Sequence, residues 1–257
     1  MSALTMQAAA WTEVGRRANN EDSVFCSPRL VAVADGVGGA AAGEVASRCA
    51  INEMISLEAS RLTSALDVAV HGALQKANSA LSFLVECRPE WAGMATTLTA
   101  VALSNDGDYV IANVGDSRTY LSRDGELRQL TRDQSLVQEL IDRGSITREQ
   151  ARGHPQRSVV LESLDGNEHA IGAPALHRAR LGDRLLLCSD GISDYLTDDQ
   201  IAVALRTRSP QDAAQQLVAM ALDAGSRDNV SAVVADIVAR HDPVEGWLNV
   251  LPARFDD

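Results

Sequence analysis

The chain has little cysteine and no arrangement of it that builds a framework: Cys26, Cys49, Cys87 and Cys188 show no CxxC spacing and no histidine suited to completing a zinc site. They read as free thiols in a reducing compartment, with Cys188 a small core residue. The five histidines form no HExxH or paired motif, which leaves them ordinary surface or core roles. No run approaches the roughly 20 apolar residues of a membrane span. The opening MSALTMQAAAW has no basic stretch leading into an apolar one, so a soluble cytoplasmic protein is expected. Basic residues are outnumbered, 23 against 35 acidic, for a net charge of −12. That balance argues against nucleic acid or anionic membrane as a partner, although metals can reverse the sign of a local site. A GxxxxGK[ST] loop and a glycine-rich strand-turn-helix fingerprint are both missing, which counts against a nucleotide-dependent phosphotransferase. There is no internal repeat and no alternation of strand and helix that would build a parallel sheet.

The 257 residues, 46% of them hydrophobic, suffice to bury one large core, and a single domain over 1–257 is expected. Apolar residues at helical spacing predict amphipathic helices over 39–60 and 63–86 that cover a sheet. Strands follow at 97–103, 109–114 and 119–121, the first two joined by the turn residues NDGD at 105–108, which makes them antiparallel. Later helices carry explicit ends: Thr197 with Gln200 fits a capping box, Ser209 with Pro210 an N-cap, and Gly225 a C-terminal stop. Antiparallel hairpins with helices on the outer faces give an α+β layered fold. The segment 130–165 breaks the strand pattern and holds two short helical stretches, 135–143 and 147–152, separated by Gly144. It reads as a lid or binding loop, or as a plain surface insertion.

Asp22, Asp35, Asp190 and Asp228 lie in NNEDS, VAVADGVGG, LLLCSDG and SRDNVSAVV. Each ends or follows an apolar run and sits beside Gly, Asn or Glu. Any one alone reads as a turn. An acid at the end of a buried strand, however, is held at the rim of a sheet, and several converging strand ends would gather carboxylates. Packed carboxylates repel and partly protonate unless hard cations such as Mg2+ or Mn2+ sit among them.

Those four acids, with Arg17 in RANNED and with GDSR at 115–118, resemble the metal-dependent Ser/Thr protein phosphatases known as PPM or PP2C. The resemblance runs collinearly over roughly 12–239, through RANNEDS, DGVGGAAAGEVAS, GMATTLTA, ANVGDSRTYL, GDRLLLCSDGISD and RDNVSAVVAD. LTRDQSLVQELIDRGSITREQARGHPQRSVV resembles the flap of bacterial members. It implies a four-layer αββα sandwich of two antiparallel sheets, with a flap over about 130–165 and metals in a cleft at one end.

By the same resemblance, Asp35 bridges two Mn2+ or Mg2+ ions, the carbonyl of Gly36 binds one, and Asp190 and Asp228 complete the other. Glu21 and Asp22 hold waters around them, and a water shared by the two cations attacks phosphorus directly, with no phosphoenzyme. Arg17 grips phosphate oxygens in a bidentate fork; taken alone, it would be a surface ion pair with Glu21. Asp116 binds a third, weaker metal with Asp190, or else serves the turn before Ser117 and Arg118. Ser158 is a further oxygen donor in the flap. The implied partners are phosphorylated proteins, among them Ser/Thr kinases and their substrates, met by a monomer. A noncatalytic relative would have lost a metal acid, and this chain keeps them all.

Three departures restrict the transfer. Val37 replaces a residue that is histidine in animal members and usually methionine in bacterial ones, and valine donates no proton. Gln134 stands where the flap commonly has histidine, and Glu162 where arginine is frequent. Gly15 lies one residue closer to the motif arginine than in many relatives, which alters the local loop.

Overall fold

The computed structural model describes residues 3–37, 42–59 and 66–240. Among them run β1 (Leu4–Glu13), β2 (Asp22–Cys26), β3 (Leu30–Val37), α1 (Gly43–Ala59), α2 (Leu66–Cys87), β4 (Ala95–Thr96), β5 (Leu98–Leu103) and β6 (Asp108–Val114). The second half adds β7 (Arg118–Arg123), β8 (Glu126–Gln129), α3 (Leu136–Asp142), α4 (Arg148–Arg152), β9 (Ala175–Arg178) and β10 (Arg184–Cys188). It closes with α5 (Asp190–Ser193), α6 (Asp198–Ala204), α7 (Pro210–Asp223) and β11 (Val230–Ala239).

The strands form two sheets, one ordered β1-β11-β10-β7-β8 and one ordered β2-β3-β5-β6-β9 with β4 joined to β3. Every pairing is antiparallel. The alternation of side chains along a strand separates the layers. In β3, Leu30, Ala32 and Ala34 face α1 and α2, whereas Val31 and Val33 face the other sheet. In β10, Leu185 and Leu187 enter the space between the sheets, while Leu186 and Cys188 pack with residues of α5, α6 and α7. Three apolar layers result, helices on sheet, sheet on sheet and sheet on helices, which is the expected four-layer α+β sandwich. Burial on both faces is why these central strands read as unbroken apolar runs.

The capping signals hold. The Thr197 hydroxyl accepts the Gln200 amide in a full capping box, Ser209 caps α7 ahead of Pro210, and Gly225 ends that helix with φ +94°. The four cysteines are free, with Cys188 fully buried. The helix expected over 39–60 begins at Gly43, and that expected over 63–86 spans Leu66–Cys87; residues 38–41 and 60–65 lie outside the described residues. Strands β1, β2, β4, β8 and β9 were not anticipated. The middle of β1 is Ala-rich, so its strand character comes from ten residues of pairing with β11 rather than from propensity.

The insertion 130–165 carries α3 and α4 and is tied down at both feet. The Gln134 amide donates to the Gly115 carbonyl at 3.0 Å, and Thr96 and Leu164 exchange backbone hydrogen bonds of 2.9 Å. Gly115 precedes Asp116, and Thr96 pairs with Gly36 in register. The flap is therefore rooted beside two of the expected site residues.

Candidate active site

Antiparallel pairing fixes where the acids go. The start of β2 lies against the end of β3, so Asp22 and Asp35 are direct cross-strand partners. By strand parity both share the face of Val24, Val31 and Val33, which lines the space between the sheets. The end of β10 lies against the start of β11, with Cys188 opposite Ala232, which puts Asp190 and Asp228 at the same end. The end of β6 pairs with the start of β5, Val114 with Leu98, and delivers Asp116 there too. Five acids far apart in sequence thus reach one rim.

Their electrostatics follow. The surrounding protein strips water from Asp35 and raises its carboxyl well above the usual range, and Asp22, Asp190, Asp116 and Asp228 each raise it further. Asp190 is raised by burial, then by Asp116, Asp194, Asp228 and Asp22. Burial, Asp133 and Asp194 push Asp116 up to about 7, and burial drives Asp22 to about 6 against the pull of its hydroxyl partners. Asp22 and Asp116 are buried, while Asp35, Asp190 and Asp228 keep part of their surface open to the cleft.

Around the acids lies a set of small hydroxyls. Ser189 donates to Asp22 Oδ2 at 2.9 Å, while Asp22 Oδ1 is buried without a hydrogen-bond partner. The Asp35 amide donates to Thr97 Oγ1 at 3.1 Å, and that hydroxyl shares a 2.7 Å hydrogen bond with Ser117. At Gly36 a Cβ would stand 2.3 Å from the Gly43 carbonyl oxygen and 2.7 Å from that of Glu21, so only glycine fits where α1 meets the rim. Glu21 is raised by burial and by Glu44.

Arg17 is not paired with Glu21. Its Nη2 donates to Asp228 Oδ2 at 2.7 Å, which corrects the surface-pair alternative. The loop that carries it is closely packed: Gly15 has φ +63°, and a Cβ there would sit 2.0 Å from the Asp228 carbonyl oxygen. A cavity of about 430 Å³ opens beside Arg17, Asp190 and Asp228, with Ser158 from the flap and Tyr195 in its wall. A larger groove of about 800 Å³ between α2 and 166–171 lies apart from the acids.

Three residues were not picked out beforehand. Asn229 accepts the Glu21 amide and donates to the carbonyls of Val14 and Asn19, stitching the RANNED loop to the start of β11. Asp194 acts on both Asp116 and Asp190, and its signal is the i, i+4 spacing in DGISD. Arg157 of the flap pairs with Asp194 at 3.3 Å, a contact across sequence that no local pattern announces.

The donors suit a hard divalent cation, being carboxylates and a backbone carbonyl. A buried orphan oxygen on Asp22 and acids that raise one another are the features such an ion would relieve. Among the described residues no three His, Cys, Asp or Glu side chains are already gathered into a finished ligand set.

A two-sheet sandwich with this acid rim is the architecture of a metal-dependent phosphatase. The chain belongs to the protein phosphatase 2C family, whose model matches residues 16–235. It is 44% identical over 236 residues to the serine/threonine protein phosphatase PstP of Mycobacterium tuberculosis, covering 91% of this chain and 46% of that protein. The chain thus spans about half the length of that relative. The serine/threonine phosphatase stp of Listeria welshimeri is 34% identical over 242 residues, 90% of this chain and 96% of that one. The crystal structure of the M. tuberculosis phosphatase PstP/Ppp superposes with a TM-score of 0.87 at 44% identity, covering 91% of this chain and 99% of that chain. The catalytic domain of PstP in complex with two manganese ions gives 0.84 at 43% identity, with 91% and 99% covered.

Proposed function

We propose that the chain is a metal-dependent protein phosphatase that hydrolyses phosphoserine and phosphothreonine esters, opposing Ser/Thr kinases from the cytoplasm as a monomer with one domain over 1–257. The observation that carries this reading is the convergence of Asp22, Asp35, Asp116, Asp190 and Asp228 on one rim, with Arg17 beside them. The printed names of the relatives, Ser/Thr phosphatases, support it. No helix among the described residues is long and apolar enough to cross a membrane.

The cofactor is Mn2+ or Mg2+, two ions held tightly and a third more weakly. Asp35 and the Gly36 carbonyl, with Asp190 and Asp228, hold the tight pair; Asp116 shares the third with Asp190. Bound there, the cations lower the pKa of water and neutralise charge on the phosphoryl oxygens.

Arg17 supplies the grip on the substrate. Its guanidinium can leave Asp228 for two phosphate oxygens once that carboxylate has a metal, because a bidentate charge-assisted contact is the stronger of the two options. Ser189 fixes one oxygen of Asp22 and leaves the other, buried oxygen without a partner; Asp22 and Glu21 would hold waters bound to the cations. Val37 is exposed at the end of β3 and donates nothing, so the leaving alkoxide takes its proton from water or from a rim carboxyl. Hydrolysis of a phosphothreonine peptide with added Mn2+, abolished by chelator, is the test. Full turnover by protein shown to be metal-free would overturn the reading.

A further inference from the structure

The cavity beside the acids contains more arginine than its acids hold. Arg16, Arg17, Arg157 and Arg227 all line it. Arg17 lies on Asp228 at 2.7 Å and Arg157 on Asp194 at 3.3 Å. Asp190, the third acid of the wall, is in no ion pair among the described residues and is opposed by Asp116, Asp194 and Asp228. Arg16 and Arg227 remain, both exposed and neither in an ion pair among the described residues. In a chain of net charge −12, two guanidiniums outside any ion pair among the described residues thus stand in the wall of this acid-lined cleft.

Their placement is built by the fold. Arg16 precedes Arg17 in the loop after β1, and Arg227 precedes Asp228 ahead of β11. Asn229 donates to Val14 and Asn19, on either side of Arg16, and Gly15 packs directly on the Asp228 carbonyl. The two segments are thus clamped together, and the two arginines are presented as a unit rather than as independent surface charges.

We propose that Arg16 and Arg227 form a second anion site beside the one for the scissile phosphate. It selects phosphopeptides that carry a further negative group, carboxylate or phosphate, within a few residues of the phosphorylated side chain. This rests on the phosphatase reading and names its substrate class. Guanidinium forks match both oxyanions. At physiological ionic strength the attraction is confined to roughly 8 Å, so only a neighbouring charge is sensed and the acidic bulk of the protein is not.

The test is kcat/KM of the Mn2+-loaded enzyme on three phosphothreonine peptides of equal length. One has neutral flanks, one has glutamate flanks, and one carries a nearby non-hydrolysable phosphonate. Wild type is expected to favour the two anionic peptides by about three- to tenfold, the range of one or two partly screened charge contacts. The larger of the two ratios identifies carboxylate or phosphate as the group recognised. Arg16→Ala with Arg227→Ala should bring both ratios to near one, Arg16→Glu with Arg227→Glu below one, and added salt should compress the wild-type preference. A wild-type ratio of one, a preference that survives the double substitution, or an equal loss on all three peptides would overturn the proposal. Absence of turnover on every peptide by the wild type would instead overturn the phosphatase reading.

Discussion

Gln134 and Glu162, two flap positions at which the sequence departs from the family pattern, are bonded to each other: Gln134 Nε2 donates to Glu162 Oε2 at 2.6 Å. The same Gln134 side chain accepts the Gly115 amide at 2.6 Å, one residue from Asp116. This amide side chain thereby joins Glu162 of the flap to the rim, alongside the backbone bonds at the flap's two feet. Gln134→Ala is expected to cost about 1–2 kcal/mol in urea unfolding, because it orphans a backbone amide, whereas Glu162→Ala removes only an exposed contact and costs less than about 0.5 kcal/mol. Equal costs for the two variants would show that the coupling resides elsewhere.

Asp35→Asn or Asp190→Asn should abolish turnover yet raise the stability of the metal-free protein by on the order of 1 kcal/mol. Each removes a charge that its acidic neighbours oppose. Unfolding in EDTA and again in Mn2+ checks this: the variants should gain in EDTA and lose most of the stabilisation that Mn2+ gives wild type. Destabilisation in both conditions would mark the acids as structural.

Arg17→Ala is expected to raise KM for a phosphopeptide about tenfold or more, since a charged bidentate contact contributes on the order of 1.5–3 kcal/mol. Mn2+ affinity, measured by calorimetry, should change far less. An unchanged KM would leave Arg17 with only its Asp228 partner.

Asp116→Ala should retain the two tight metals by calorimetry but turn phosphopeptide over poorly. A third site served by few protein charges binds weakly, and a cation there would supply an acidic water for the proton that Val37 cannot donate. Wild-type turnover across a Mn2+ titration would reduce Asp116 to a turn residue.

Away from the site, Asp183 accepts from Tyr109 Oη at 2.6 Å and from Arg123 Nε and Nη2, each at 2.6 Å. Burial alone would push this carboxyl up, but those bonds, with the Arg180 amide, hold it below the usual range. A depressed carboxyl contributes stability that is fully present above its unfolded pKa of about 3.9 and disappears as pH falls through the lower folded value. The stability gap between wild type and Asp183→Asn should therefore be constant near neutrality and close only in acid below about pH 4. A gap that widens on acidification would contradict the assignment.

The sequence by itself marked Asp22, Asp35, Asp190 and Asp228 as strand-end acids, because an apolar run that stops at a carboxylate is a local pattern. It likewise marked the caps at Thr197 and Ser209, which depend on neighbours three residues away. The helix boundaries near Gly43 and Leu66 and the strand β1 were less legible, since an alanine-rich segment takes its conformation from whatever it pairs with.

Tertiary structure alone decided which acids meet. Asp22 faces Asp35 because β2 and β3 pair in one register, and a shift of β2 by one residue would turn Asp22 away from the space between the sheets. Arg17 lies on Asp228, 211 positions along the chain, rather than on Glu21, because Asn229 and Gly15 bring the two loops together. Local spacing specifies chemistry that a few residues can carry; charges distant in sequence become neighbours only when strand pairing has fixed which ends of the sheets coincide.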